Sequence, residues 1–157
     1  MTAAKVDAPE LDAPSRPIAA LASLPRDKKH RHALPIDRSD GPAFCGVHPR
    51  FEGWENLGTL SGKSLPAFGS GYCHDCILKA RQLIVLRIIQ RLGSAGDFSG
   101  VRGLSSPLDD DRELNSILVD LVGNEMLQAE IQPEVYPNRV LFRLTTRGLA
   151  DLASHSA

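Results

Sequence analysis

The sequence predicts an α+β fold in which a small metal-binding module joins a helical unit finished by a β-hairpin, behind a disordered N-terminal arm. Three observations predict it. Residues 1–42 are rich in Ala, Pro and Asp with no sustained period; residues 43–76 hold all three cysteines; and from residue 77 apolar positions recur at helical spacing before two strand-like runs. The expected boundaries are therefore an arm at 1–42, a metal module at 43–76 and a helical unit at 77–157.

Size and composition narrow the classes. A chain of 157 residues with 42% hydrophobic and 24% charged residues has ordinary globular composition, and a net charge of −1 gives no bulk attraction to nucleic acid or membrane. Any nucleic-acid surface must be local. Three cysteines cannot all pair as disulfides, and no charged segment followed by an apolar one marks a secretory signal. The apolar run at 84–89 is too short to span a bilayer. The expectation is a soluble, cytoplasmic protein with reduced thiols free to bind metal.

The arm reads "AAKVDAPELDAPSRPIAALASLP", a composition that buries too little apolar surface to order itself. Within the same arm, "RDKKHRH" gathers Arg26, Lys28, Lys29 and Arg31. Such a cluster suits either phosphate contact or the plain solubilising charge of a linker.

In the next stretch, Cys45-x-x-His48 and Cys73-x-x-Cys76 are two short pairs with 24 residues between them. Two-residue spacers let both members of a pair reach one ion from a tight turn, and four N and S ligands satisfy a tetrahedral structural Zn2+. Four other readings use the same residues: a thioredoxin-like pair at Cys73/Cys76, a catalytic zinc with one open position, an iron–sulfur cluster, and unliganded buried thiols. Between the pairs, Ser61-Gly62-Lys63-Ser64 suits the turn of a small hairpin. The order knuckle, hairpin, then a helix opened by the second pair resembles the treble-clef zinc fingers over about 35 residues. It departs from their all-cysteine form at His48, which keeps the iron–sulfur cluster in play.

Residues 77–92 have helical length without Pro or Gly, and their polar side carries Lys79, Gln82, Arg87, Gln90 and Arg91. Glycines at 93, 96, 100 and 103 then restrict any following helix to a short one. A helix is predicted over 107–122: Ser106 caps, Pro107 suits its first position, Asp109, Asp110 and Asp111 face the positive dipole end, and Leu114, Ile117, Leu118, Leu121 and Val122 form a buried face. Gly123 and Asn124 end it. "MLQAEIQ" and "RVLFRL" read as strands around the turn "PEVYPN", with Arg139, Leu141 and Arg143 on one face and Val140, Phe142 and Leu144 facing the core. "TTRGLADLAS" closes the chain as a helix capped by Thr145 or Thr146.

This order resembles the winged-helix family, on "LVGNEML" and on "FRLTTRGLADL", where Leu144, Thr145, Gly148 and Leu152 fall as in many bacterial winged-helix regulators. The resemblance covers about 80 residues and implies binding of double-stranded DNA, with 107–122 in the major groove, the hairpin beside it, and a homodimer where the site is two-fold. Arg102, Arg112, Arg139 and Arg143, with Lys28, Lys29 and Arg31, are the candidate phosphate contacts. The chain departs from the pattern at Asp109, Asp110, Asp111, Glu113 and Asp120, which repel phosphate. An adaptor of the transcription machinery that offers this acidic helix to a basic protein partner is the alternative. An iron–sulfur or thiol redox sensor is a third reading.

Catalysis is not expected. No phosphate loop, dinucleotide fingerprint or nucleophile elbow occurs. Asp109, Asp110 and Asp111 are successive helical positions about 100° apart, so they do not converge on one ion.

Overall fold

The computed structural model, which describes residues 17–38, 40–49, 53–61, 71–104, 110–133 and 139–155, is α+β and divides into two compact units. The first comprises Met1–Leu83 with Ser154–Ala157, and the second Ile84–Ala153. Among the described residues no helix is long and apolar enough to cross a membrane.

The first unit is built on a sheet of three antiparallel strands, β1 (Pro17–Leu24), β2 (Asp27–Leu34) and β3 (Glu55–Ser61), in the order β2-β1-β3. This corrects the expectation of a disordered arm through residue 42. Residues 17–34 are a hairpin with Pro25 and Arg26 at its turn, followed by a 3-10 turn at Ile36–Arg38. The physical reason lies in β1. As the central strand it is buried on both sides, with Ile18, Ala19, Leu21, Ala22 and Ser23 all inaccessible, so it shows no alternation of apolar and polar residues. Its alanines also carry little strand preference by themselves. Residues 1–16 of the expected arm, and Gly62, Lys63 and Ser64 of the expected hairpin turn, lie outside the described residues.

Helix α1 spans His74–Arg91. It begins three residues before the predicted start, so Cys76 sits in its first turn and Cys73 immediately precedes it. The carbonyl of Cys73 accepts from the Ile77 amide at 3.0 Å, the first bond of the helix. Gly93, at φ +94°, takes the left-handed conformation that ends it.

The second unit continues with β4 (Ala95–Asp97), α2 (Phe98–Leu104), α3 (Asp111–Gly123), β5 (Leu127–Gln132), β6 (Arg139–Leu144) and α4 (Thr146–His155). Its sheet is antiparallel in the order β4-β6-β5. Ile84, Val85, Leu86, Ile88 and Ile89 of α1 are buried, as are Val101, Leu114, Ile117, Leu118, Leu121, Leu127, Leu144 and Leu152. Asp97 caps α2 by accepting from the Gly100 amide at 2.8 Å. Thr145 Oγ1 accepts from the Gly148 amide at 2.9 Å and donates toward the carbonyls of Glu125 and Met126, which ties the start of α4 to the turn before β5. Gly148 is required there, because a Cβ would lie 2.2 Å from the Met126 carbonyl oxygen.

Two predicted details differ. The helix foreseen over 107–122 begins at Asp111, with Asp110 as its N-cap accepting from the Arg112 amide at 2.9 Å. Aspartate caps as well as serine does, so a run of three offers several equivalent starts. Ser106, Pro107 and Asp109 lie outside the described residues. In the hairpin, Leu144 is buried and Phe142 half-buried, but Val140 is 38% exposed, as is its partner Ile131 at 64%. The inward face of β6 is thus covered only at its C-terminal end.

Candidate metal centre

His32, Cys45, Cys73 and Cys76 come together in the first unit, with one donor atom from each lying within 4.8 Å of all the others. Cys45, Cys73 and Cys76 are the cysteines picked out by spacing. His32 takes the place foreseen for His48, which is exposed and stands outside the cluster. The turn around Cys45 explains the exchange. The Ala43 amide bonds to the Val47 carbonyl at 2.8 Å, Gly46 turns the chain at φ +92°, and the backbone then leaves toward solvent at Val47 and His48.

Each ligand is held by local backbone geometry. His32 faces inward from β2 beside Ala22 of the central strand and is 5% exposed. The Phe44 amide bonds to the Ala33 carbonyl at 2.9 Å, which fastens the Cys45 turn to the same strand. Along the same free edge of β2, the Arg31 amide bonds to the Gly71 carbonyl at 2.9 Å and the Cys73 amide to the Arg31 carbonyl at 2.7 Å. Gly71 makes this approach possible: its φ is +85°, and a Cβ there would meet the Lys29 carbonyl at 3.0 Å. Arg31 completes the seam by donating to the Tyr72 hydroxyl at 2.9 Å, its guanidinium 5.0 Å from the ring centroid. Cys73, just before α1, and Cys76, in its first turn, therefore reach the site from the helix start, and Cys45 and His32 from the sheet side.

The distances suit one four-coordinate ion. Cys45 Sγ lies 3.4 Å and Cys76 Sγ 3.7 Å from His32 Nδ1. An ion about 2.3 Å from sulfur and about 2.05 Å from nitrogen in tetrahedral geometry sets those donors roughly 3.5 Å apart. Burial pushes the Cys76 and Cys45 thiols up from their ordinary value, against the backbone amides of Ala33 and Cys45 on Cys76 and of Val47 on Cys45. Burial, then the neighbouring His30, holds His32 down, with Asp27 opposing, which favours the neutral imidazole that ligates. A cation is the natural partner for three thiolates packed this closely. The only tryptophan, Trp54, donates from Nε1 to the Gly41 carbonyl at 2.8 Å and lies 5.5 Å from the His32 ring.

Of the candidate cations, Lys28, Lys29 and Arg31 belong to the first unit and Arg102, Arg112, Arg139 and Arg143 to the second. Arg31 is engaged at the metal centre through Tyr72. In the second unit Arg102 pairs with Asp111, Arg139 meets Asp97 at 3.4 Å and Gln132 at 3.0 Å, and Arg143 meets Glu130 at 3.3 Å. Arg112 and Lys29 are exposed. Lys28 lies in β2, its side chain outside the described set.

His32 was legible only as one of five histidines, placed in a segment whose composition argues against order. The usable signal was the need for a fourth ligand, which the sequence satisfied more cheaply with His48.

No protein-family model matches the chain, and no curated protein sequence matches it. Among solved structures, that of diamide-treated YodB from B. subtilis is similar, with 20% identity over 52% of this chain and 82% of that one, at a TM-score of 0.39. A likeness of this degree carries no argument about function.

Proposed function

We propose that the chain is a DNA-binding transcriptional regulator in which a closed structural zinc organises the first unit and the second is a winged helix. The observation that carries the reading is the second unit's order of elements: a helix, a short strand, two helices, a hairpin and a closing helix, with β6 between β4 and β5. In that arrangement α3 is the element offered to a major groove. Its exposed residues include Arg112, Asn115, Ser116 and Val119, at the i, i+3, i+4 and i+7 positions of one stripe. Arginine pairs with guanine, asparagine with adenine, and an apolar side chain with the thymine methyl.

Zinc is the ion that three thiolates and one imidazole select in a closed tetrahedral site. His32, Cys45, Cys73 and Cys76 would hold it, and when bound it supplies structure rather than reactivity, because no ligand position stays open. The knuckle and the helix start resemble a treble clef whose histidine has moved to a preceding strand. On this reading the chain acts by binding and not by catalysis.

A second reading rests on a specific observation. Arg102, Arg139 and Arg143 each face a carboxylate or amide of the same unit, and α3 opens with Asp110, Asp111 and Glu113. An acidic helix with its arginines engaged suits a basic protein partner.

Genomic footprinting of the metal-loaded protein separates the two. The regulator reading expects a recurrent site that Asn115→Ala relaxes at one base position, at a cost of roughly 1–3 kcal/mol. No occupancy of any fragment at low salt favours the adaptor.

A further inference from the structure

Charge divides unequally along the chain. Residues 1–83 carry eleven Lys and Arg against nine Asp and Glu, whereas residues 84–153 carry seven against ten. The unit with the helix suited to base contact is therefore the acidic one. Binding to duplex DNA draws most of its affinity from neutralised phosphates, so that affinity must have another source.

The β1–β2 hairpin supplies one. Its turn and the start of β2 run Pro25, Arg26, Asp27, Lys28, Lys29, His30, with Arg26, Lys29 and His30 exposed. Among the described residues no carboxylate pairs with Lys29, unlike Arg102, Arg139, Arg143 and Arg147, which face Asp111, Asp97, Glu130 and Glu125. The turn is also firmly held. Three residues beyond Lys29, His32 enters the metal cluster, and the Lys29 carbonyl packs against Gly71. Cations on a fixed strand lose less freedom on meeting a phosphate than cations on a free arm.

We infer that the β1–β2 turn, with Arg26 and Lys29 as its exposed cations, is the surface that contacts the phosphate backbone of duplex DNA. The inference rests on the DNA-binding reading and gives that reading a location. Asp27 is the opposing charge within the turn, and it limits the affinity.

Fluorescence anisotropy of the full, metal-loaded chain against a labelled mixed-sequence duplex, titrated between about 50 and 200 mM salt, tests it. The double variant Arg26→Ala/Lys29→Ala should bind more weakly on every sequence, with a salt slope smaller by about two. Asp27→Asn should tighten binding, and Arg139→Ala/Arg143→Ala should leave the slope unchanged. Both cationic positions are exposed, and an unchanged metal content and melting temperature show that the fold is kept. If the hairpin double variant binds like the wild type while Arg139→Ala/Arg143→Ala loses slope, the phosphate contacts lie on the wing: DNA binding stands and this inference falls. If the wild-type chain fails to bind at low salt, both fall.

Discussion

The two units reach order by different means. In the second, the residues that make the core are those whose spacing predicts it: Leu114, Ile117, Leu118 and Leu121 are all inaccessible on one face of α3. In the first, three of the eight residues of the central strand are alanine, and beside the buried Ile18, Leu34 and Leu60 four polar donors converge at His32, Cys45, Cys73 and Cys76. The difference teaches where each unit's stability resides. An apolar core survives the loss of any one contact at a cost of a few kcal/mol, whereas a cluster of buried thiols and an imidazole without its ion has no favourable arrangement.

Metal removal should therefore give the largest effect and split the units. A strong chelator is expected to abolish the tertiary signal of the first unit, read by the fluorescence of Trp54 beside His32, while helical circular dichroism from the second persists. Loss of both signals together at one chelator concentration would mean that the units are not separate in stability. His32→Ala should abolish stoichiometric metal in the purified protein, and His48→Ala should leave it at one ion per chain, as measured by elemental analysis.

Core substitutions in the second unit come next. Leu118→Ala is expected to cost about 3 kcal/mol in chemical denaturation. Gly148→Ala should cost roughly 2 kcal/mol, since its Cβ and the Met126 carbonyl cannot both keep their places. Neither variant should change metal content. Thr145→Ala, which removes the cap of α4 and its bond to the preceding turn, should cost about 1 kcal/mol. Smallest of all is Arg143→Ala, whose pair with Glu130 is half-exposed on both sides and should contribute less than about 0.5 kcal/mol.

Legibility in the sequence followed the same division. The strands at 127–132 and 139–144, the cap at Thr145 and the helical stop at Asn124 were readable, because each rests on a local rule: alternation, a hydroxyl before a helix, a turn residue after one. β4 was not, since a three-residue strand of Ala95, Gly96 and Asp97 has no propensity of its own and exists by pairing with β6. The hairpin at 17–34 was hidden for two reasons. β1 is covered on both faces and so lacks a period, and β2 spends its polar residues on a turn, a metal ligand and a backbone seam. The metal centre was three-quarters legible. Cysteine spacing is local and carries its own geometry, but a histidine delivered by a strand 13 residues before Cys45 depends on a register that no short motif encodes.

X-ray absorption at the zinc edge of the purified wild-type chain, alongside His32→Ala and His48→Ala, tests the central claim most directly. The account predicts three sulfur neighbours at about 2.3 Å and one nitrogen at about 2.0 Å in the wild type and in His48→Ala. In His32→Ala the nitrogen should be lost or the site emptied. A nitrogen that disappears with His48 and persists without His32, or a wild-type chain purified without metal, would contradict it.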